Sequence, residues 1–314
     1  MKSINKVKRI FPTELVVDSQ VFYDIQKPNL VKIFLFSSFN LSAYVLLCWI
    51  GVMLHNWLVW PLLWCFQGFI FSGFIAPVHE CVHNNLSSSV KVNRLIGVVW
   101  SLPIILNFSS YKYKHLEHHK YTRIVGDTSN FDDYSSLGGY FLDLFVLNVV
   151  NYVLQLTNII LENFPNYIHL EKARRDIQID NLALLGWIAL VVTSTIVWTK
   201  FTFLFYWCPL LMSFPSAFLT AIPEHYGCDK TSNPLDNTRT TLSNSFVRCV
   251  MWNANYHAEH HVYPSVPSHN LPILHTLIGK YFQYQEQSYF LFHLKIIQGL
   301  LNKDNTLKKN NYQQ

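Results

Sequence analysis

Histidine is the residue type whose spacing in this sequence indicates a chemical role, the binding of metal ions. Residues 257–261 read H-A-E-H-H, which places three imidazoles at positions i, i+3 and i+4 on one face of a helix. The same spacing recurs at residues 115–119, and an i, i+4 pair lies at residues 79 and 83. Neutral imidazole is the commonest protein ligand for transition metals. The candidate metal ligands in these three groups are His79, His83, His115, His118, His119, His257, His260 and His261.

A ninth histidine, His225, follows the last long apolar segment and is a further candidate ligand. Nine imidazoles exceed what one ion accepts, so we expect two ions with four or five ligands each. Structural zinc usually includes cysteine in a closed set of four, and calcium and magnesium prefer oxygen. Nitrogen donors around two ions suit iron in oxygen chemistry, although ligand type alone does not exclude copper.

The composition indicates a protein with a large lipid-facing surface. Apolar residues make up 50% of the 314-residue chain and charged residues only 14%, against roughly 25% charged in soluble domains. The net charge of +5 comes without a long basic run outside the ends, which favours a membrane surface and not nucleic acid as partner. Six cysteines show no C-x-x-C pair, so neither a disulfide framework nor a thiolate site is expected.

Four segments are apolar and long enough to cross a bilayer, which needs roughly 20 residues. They fall at about 30–54, 57–76, 182–198 and 201–222, and the short turns between them predict two antiparallel hairpins. Residues 1–29 form a polar leader, residues 30–277 the membrane domain, and residues 278–314 a tail whose Asn/Gln/Lys-rich end is expected to be disordered. The predicted fold is an all-α integral membrane protein with a helical cap.

The positions of the basic residues predict which ends of these segments face the cytoplasm. Lys and Arg cluster before the first segment (residues 2–9) and before the third (residues 172–175), so both termini and the central loop are predicted to be cytoplasmic. All nine candidate ligands then lie on the cytoplasmic face, and His55 lies on the other side. Residues 140–161 are long enough to span, but their polar residues and apolar stripe favour a helix lying in the membrane interface.

With these motifs the sequence resembles the membrane fatty acid desaturase superfamily. That family has three histidine boxes, which here read H-E-C-V-H at 79–83, H-L-E-H-H at 115–119 and H-A-E-H-H at 257–261. The resemblance covers residues 30–277. The segments P-E-H-Y-G at 223–227, N-T-R-T at 237–240 and N-x-N-Y-H at 253–257 are similar to a bacterial subgroup that includes rhizobitoxine-type desaturases, and around E-H-Y to sphingolipid desaturases.

The resemblance implies a di-iron, oxygen-dependent oxidoreductase that introduces a C=C bond into a fatty acyl chain. It makes His225 an iron ligand between boxes two and three. The first box has Val82 where relatives often have glycine, and Ala221 stands where the acyl-CoA branch has an asparagine that holds a metal-bound water. That asparagine is therefore not carried over to this chain.

The same resemblance implies where the electrons come from and which residues surround the metal ligands. The chain has no G-x-G-x-x-G signature, so a separate donor such as ferredoxin or a cytochrome with its reductase is expected. We expect Arg239 to meet a polar substrate head or an anionic lipid, or else to form an ion pair within its loop at residues 228–248. The remaining histidines (His169, His269, His275, His293) are expected to have surface or packing roles. Acidic residues that could orient the imidazoles are Glu80, Glu117, Asp127, Glu224 and Glu259.

Three other functions are compatible with the motifs. The first is a hydroxylase or ketolase, since the family shares its boxes across those reactions. The second is a desaturase of a small amino-acid-derived substrate. The third belongs to another class: a membrane metal transporter whose histidines bind cargo. A transporter would place charged residues or histidines within the spans, whereas the histidine groups here cluster outside one face.

Overall fold

The computed structural model describes residues 17–54, 56–129 and 134–311, with side chains to residue 302. The basic leader residues 2–9 and His55, on which part of the topology prediction rests, lie outside these ranges. The α-helices of the described ranges are α1 Ser19–Ile25, α2 Leu30–Leu54, α3 Trp60–Ser72, α4 Ile75–Val82, α5 Val90–Ser101, α6 Phe108–Tyr121, α7 Leu137–Leu142, α8 Asn148–Ile160, α9 Glu171–Val197, α10 Thr199–Thr202, α11 Cys208–His225, α12 Ser245–Val250, α13 His257–Val262, α14 Leu271–Ile278 and α15 Tyr289–Asn311.

Short 3₁₀ and π segments connect several of these helices. The 3₁₀ turns lie at Trp57–Val59, Ser268–Asn270 and Gly279–Tyr281. Single π turns at Asp143–Leu147 and Phe203–Trp207 join α7 to α8 and α10 to α11, so each pair forms one long, locally widened helix.

A small parallel sheet corrects the all-α prediction. Strand β1 (Arg239–Thr241) pairs with β2 (Tyr284–Glu286), with Arg239 opposite Tyr284 and Thr241 opposite Glu286. Strands of three residues are too short to show the two-residue alternation by which a strand is recognised in a sequence. The loop that the sheet closes contains the third histidine box, so the pairing ties that box to the C-terminal helix.

Within the described ranges, five helical segments are long and apolar enough to cross a membrane. They are Leu30–Leu54, Trp57–Val82, Leu137–Ile160, Glu171–Val197 and Thr199–His225. Four of them contain the predicted spans. The fifth, Leu137–Ile160, is the segment interpreted from sequence as an interfacial helix, and its length and composition alone also suit a span.

The second and last apolar segments pack closely along α3 and α11. A Cβ atom added at Gly68 would lie 2.6 Å from the backbone carbonyl carbon of Met212, so only glycine permits this approach. Because α4 continues from α3 and carries box one, while α11 ends at His225, this contact helps to bring two parts of the histidine site together.

The first turns of α9 anchor the helix that carries box two. Asp180 accepts hydrogen bonds from the Arg94 guanidinium at 2.6 Å and from the Ser109 backbone N–H at 2.9 Å. Asn107, the N-cap of α6, donates to Asn181 Oδ1 at 2.9 Å. These buried polar groups fix the N-terminus of α6 against α9, because a buried acceptor left without its donor costs about 1–3 kcal/mol.

The C-terminal segment differs from the tail expected for residues 278–314. Helix α15 packs Phe292 and Leu300 against Tyr140, Phe218 and Ile222. Phe292, Ile296 and Leu300 follow one another at intervals of four positions and form an apolar stripe that holds α15 on α11. The helix continues through Asn311 into the segment for which disorder was expected, since adding residues to an anchored helix costs little.

Candidate metal centre

The fold collects the nine candidate histidines into two neighbouring clusters. In each cluster the potential ligand atoms all lie within 4.8 Å of one another, the geometry needed to hold a metal ion. We call the five-histidine group cluster one and the four-histidine group cluster two. Cluster one consists of His79, His83, His115, His119 and His260, and cluster two consists of His118, His225, His257 and His261.

Helix geometry explains how the three histidines of one box are divided between the two clusters. Residues i and i+4 share a helix face, whereas residues i and i+1 differ by about 100°. In α6, His115 and His119 therefore enter cluster one while His118 enters cluster two. In α13 the assignment is reversed: the i, i+4 pair 257/261 enters cluster two and His260 enters cluster one.

The distances between facing nitrogens indicate which coordination geometry fits. Two nitrogens about 2.1 Å from one ion lie about 3.0 Å apart at 90° and about 3.4 Å apart at tetrahedral angles. The observed values are 2.9–3.1 Å, which suits an ion with angles near 90°. The Nε2–Nε2 pairs are His83–His115 (3.0 Å), His115–His119 (2.9 Å), His119–His260 (3.0 Å), His118–His225 (3.1 Å) and His225–His257 (2.9 Å).

Hydrogen bonds at the other ring nitrogen show that at least one of these contacts is not an ordinary hydrogen bond. His118 Nδ1 lies 2.7 Å from the Asp127 carboxylate, and His225 Nδ1 lies 3.1 Å from the Asn237 carbonyl oxygen. Both partners only accept, so when the rings are neutral, as metal ligation requires, each ring carries its proton on Nδ1. The two Nε2 atoms then face each other at 3.1 Å with bare lone pairs. A cation between them resolves this conflict, so the donor set fits a metal.

Cluster two has a further supporting contact through Thr122. The Thr122 hydroxyl donates to the backbone carbonyl of His118 at 2.7 Å, and its oxygen lies 3.3 Å from His261 Nδ1. Asp127 is itself held by the backbone N–H groups of Arg123 and Ser129 at 2.7 and 2.9 Å. Such outer contacts orient imidazole ligands and fix their tautomers.

Burial keeps the imidazoles neutral, as metal binding requires. It lowers the pKa of His115, His119 and His260 well below the usual value, and the neighbouring imidazoles lower it further because a second positive charge nearby is unfavourable. Neutral rings leave a nitrogen lone pair available at neutral pH. The same direction holds at His83, His257 and His261.

Three of the five predicted acidic partners lie beside a histidine of the clusters. Asp127 contacts His118 as described. Glu224 Oε1 is 3.5 Å from His257 Nδ1, and Glu80 Oε1 is 3.7 Å from His79 Nδ1. Glu80 also accepts a hydrogen bond from the Ser268 backbone N–H at 2.8 Å, which links box one to the segment after box three.

The other two acids have different partners from those predicted. Glu117 lies near Lys120 at 3.8 Å, on the outer face of α6. Glu259 is fully buried, accepts a hydrogen bond from the Thr240 hydroxyl and pairs with His275 Nδ1. It thereby fastens α13 to β1 and α14. The sequence hides this role because Glu259 stands inside the H-x-E-H-H motif but faces away from both clusters.

Arg239 is buried and holds the end of α11. Its guanidinium donates to the carbonyl oxygens of Pro223 and Tyr226 at 2.6 and 2.8 Å and stacks over the Phe292 ring at 4.8 Å. Within the described residues Arg239 forms no ion pair in its own loop, and its contact with a polar substrate head or an anionic lipid stays a prediction. It neutralises helix-end carbonyls directly beside His225.

Sequence reasoning missed Thr122, Asn237 and His275. Thr122 follows box two and Asn237 acts through its backbone, so neither has a residue-type signal. His275 lies one helix beyond Glu259, and nothing in the sequence links the two residues. Of the other histidines, His169 is exposed and His269 buried, while His293 bonds Tyr140 and the Leu219 carbonyl.

Comparison with known proteins agrees with this geometry. The sequence model of the family "Fatty acid desaturase" matches residues 55–293. A sn-1 oleoyl-lipid 12-desaturase of Arthrospira platensis is 39% identical over 74 residues, 24% of this chain and 21% of that protein. A sn-2 acyl-lipid omega-3 desaturase (ferredoxin) of Helianthus annuus is 34% identical over 67 residues, 21% of this chain and 15% of the relative.

A longer alignment joins the chain to an omega-6 fatty acid desaturase of Glycine max, which is 23% identical over 243 residues. That alignment covers 70% of this chain and 56% of the relative, so the chain spans about half the length of this curated protein. The family match extends from the start of the second apolar segment to α15 and includes all three boxes and His225. The chain belongs to the fatty acid desaturase family.

Proposed function

We propose that this protein is a membrane-bound, oxygen-dependent desaturase that introduces a C=C bond into a fatty acyl chain. The observation that carries the proposal is the gathering of nine histidines from three boxes and α11 into groups of five and four. One matched relative is named an oleoyl-lipid desaturase, and another is named an acyl-lipid desaturase with ferredoxin in its name. By this similarity we propose an acyl-lipid substrate and an external donor, with ferredoxin preferred over a cytochrome.

The donor set supports iron as the metal. All nine donors are imidazole nitrogens, and spacings of 2.9–3.1 Å suit angles near 90° better than the tetrahedral angles of structural zinc. Two iron ions would supply a redox centre that reduces dioxygen to two waters with two electrons from the substrate and two from an external donor. The protein contributes neutral, oriented imidazoles and their burial: His118, His260 and His261 are each at most 3% exposed.

The contact between His118 and His225 supports four spans in place of five. Their Nε2 atoms are 3.1 Å apart, so both residues lie on the same side of any membrane. The chain between them must then cross an even number of times. If α9 and the segment Thr199–His225 both cross, the segment Leu137–Ile160 does not. We therefore propose that Leu137–Ile160 lies in the interface, with its apolar face in the lipid.

The positions of the segment ends support placing both clusters on the same side of the membrane. The segments Trp57–Val82 and Thr199–His225 both end at the histidines, and α9 begins with Lys172, Arg174 and Arg175 on the side of the clusters. Positive charge near span ends favours the cytoplasm. We propose that both termini and both clusters are cytoplasmic, where a soluble electron donor can reach them.

Expression in a host that lacks the enzyme tests this function. Lipids of cells that make the wild-type protein should contain species two mass units lighter than their precursors, and cells that make His118→Ala or His260→Ala at equal levels should not. Species sixteen mass units heavier would point to a hydroxylase. Unchanged lipids in every strain, with two iron ions bound per chain, would exclude the lipids of that host as substrates.

A further inference from the structure

The outer face of the C-terminal helix α15 is apolar over about three turns. One face of this helix packs on α11, as described above. The opposite face carries Phe290, Leu294 and Leu301, which are 72%, 38% and 45% exposed. At about 100° per residue these side chains lie within an arc of about 40°, and the partly buried Ile297 adjoins them. A helix that faced water would carry polar residues on this side.

Polar side chains occupy a separate edge of α15. Lys295 and Asn302 are exposed and lie about 100–120° around the helix from the centre of the apolar arc. Lys295 pairs with Glu286 of β2 at 2.7 Å, and the exposed Leu291 stands at this edge as well. The helix therefore has three sides, one packed on protein, one apolar and exposed, and one largely polar. This arrangement suits a helix at the boundary between protein, lipid and water.

The contacts of α15 fix its level relative to the last apolar segment. His293 Nε2 donates to the Leu219 carbonyl at 2.7 Å, about 9 Å along α11 from His225. Phe292 packs in the same cluster as Ile222, one turn further along. Both contacts fall within Thr199–His225, a segment long and apolar enough to cross a membrane. Because we propose that this segment does cross, α15 lies at the height of its membrane end.

Helix α7, which α15 contacts, extends the exposed apolar surface. The Tyr140 hydroxyl bonds His293 of α15 at 2.8 Å, and the residues that follow it, Phe141 and Leu142, are 40% and 48% exposed. Helix α7 begins the segment Leu137–Ile160, for which we propose an interfacial position. This continuity favours lipid over a second protein chain as the partner of the outer face of α15.

We propose that α15 is a membrane-interfacial helix, and that Phe290, Leu294 and Leu301 insert into the bilayer leaflet on the side of the clusters. This inference rests on the proposed function only through the membrane position of the segment Thr199–His225. Lipid on one face and α11 on the other hold α15 in place, so the membrane helps to position the last turn of α11, which ends in His225.

Photo-cross-linking tests the proposal without turnover. The full-length, metal-loaded protein is placed in nanodiscs of palmitoyl-oleoyl-phosphatidylcholine, with the photoreactive amino acid p-benzoylphenylalanine in place of Phe290, Leu294 or Lys295. Irradiation should attach phospholipid to the protein, as measured by mass spectrometry. The yield should be roughly tenfold higher at Phe290 and Leu294 than at Lys295, because only the apolar face of an interfacial helix enters the lipid.

Two controls make every outcome informative. Leu190, which is 56% exposed in the middle of α9, should give the phospholipid adduct in any case, and Lys295 is the matched position on the polar edge of α15. If Leu190 reacts but Phe290 and Leu294 react no more than Lys295, the proposal is wrong. Cross-links from Phe290 or Leu294 to a second copy of the chain, in place of lipid, would also overturn it.

The result separates this inference from the proposed reaction. If Phe290 and Leu294 attach phospholipid as expected but no desaturated lipid forms in any host, the interfacial helix stands and the proposed reaction fails. If desaturated lipid forms but the two positions do not attach phospholipid, the reaction stands and α15 does not lie in the membrane.

Discussion

At the scale of single residues, the tautomers of the cluster-two histidines carry most of the chemical argument. His118 and His225 each give their Nδ1 proton to an oxygen that can only accept. Their Nε2 lone pairs are thereby presented to the same point. No sequence motif specifies this, because the second acceptor is a backbone carbonyl of the loop after α11.

Asp127 gives the first prediction. Burial opposes its ionisation, but the hydrogen bonds from His118 and from backbone N–H groups outweigh burial and lower the pKa of its carboxyl. Asp127→Asn should weaken metal binding at cluster two by about 10- to 100-fold, because His118 loses its orienting charge. Metal titration of the purified protein measures this. Asp229→Asn, which alters an exposed contact with Tyr284, is the control and should bind like the wild type.

The pH dependence of the metal-free protein follows from the buried histidines. Their pKa in the folded protein lies below the unfolded value of about 6.5, so as pH falls the unfolded chain binds protons that the folded chain does not. Stability is therefore present above that pH and is lost as pH drops, by up to about 1.4 kcal/mol per pH unit for each such residue. The six histidines concerned are His83, His115, His119, His257, His260 and His261.

Thermal unfolding of the metal-free protein, followed by tryptophan fluorescence at pH 7.5, 6.5 and 5.5, measures this effect. The Tm should fall steeply across the series. The exposed His169, replaced by Gln, should leave the slope unchanged. A Tm that does not vary between pH 7.5 and 5.5 would contradict the assignment of these rings as buried and neutral.

At the scale of elements, α11 contains a proline that removes one helical hydrogen bond, and a side chain of α15 supplies the missing donor. Pro223 has no N–H, so the carbonyl of Leu219 lacks its usual helical donor. His293 Nε2 donates to that carbonyl at 2.7 Å, and its Nδ1 accepts from the Tyr140 hydroxyl at 2.8 Å. The last turn of α11, which ends in His225, is thus held by α15.

Replacement of His293 tests this support. His293→Ala should destabilise the protein by about 2 kcal/mol or more, because it leaves the Leu219 carbonyl and the Tyr140 hydroxyl unpaired in the interior. The shift in Tm measures the effect. Phe290→Ala, in the same helix at a position 72% exposed, should change the Tm little. Equal Tm values for the two variants would show that α15 does not support α11.

The membrane position of Leu137–Ile160 gives a prediction at the same scale. Glu162 follows this segment and Lys200 follows α9. With an interfacial helix, Glu162→Cys should react with a membrane-impermeant thiol reagent from the side on which Lys230→Cys reacts, and Lys200→Cys from the opposite side. Reaction of Glu162→Cys together with Lys200→Cys would mean that the segment crosses the membrane.

The sequence predicts the histidine site better than its surroundings. Box spacing alone groups the imidazoles on helix faces, and apolar length locates four of the five described segments that could cross a membrane. His118 and His260 each enter a different cluster from the other two histidines of their own box. This division depends on how α6 and α13 face each other, which local spacing does not encode. The strands of the sheet are too short to carry a pattern. Glu259 stands in a box yet faces away from the clusters, so motif membership did not predict its contacts.

At the scale of the whole molecule, the chain is a set of apolar helices that end at one buried, nitrogen-lined centre. Helices α4, α6, α11 and α13 each contribute one or more histidines, so the site forms only when all four are in place. Metal binding should therefore stabilise the fold as a whole, since ligands from distant parts of the chain are gathered around each ion.

The metal content of the purified protein tests the central claim most directly. We predict two iron ions per chain in the wild type. His119→Ala in cluster one and His261→Ala in cluster two should each lose about one ion and keep the other, because the ligands divide as five and four. A wild-type protein that binds one ion, or zinc in place of iron when iron is supplied in excess, would contradict the proposed di-iron centre.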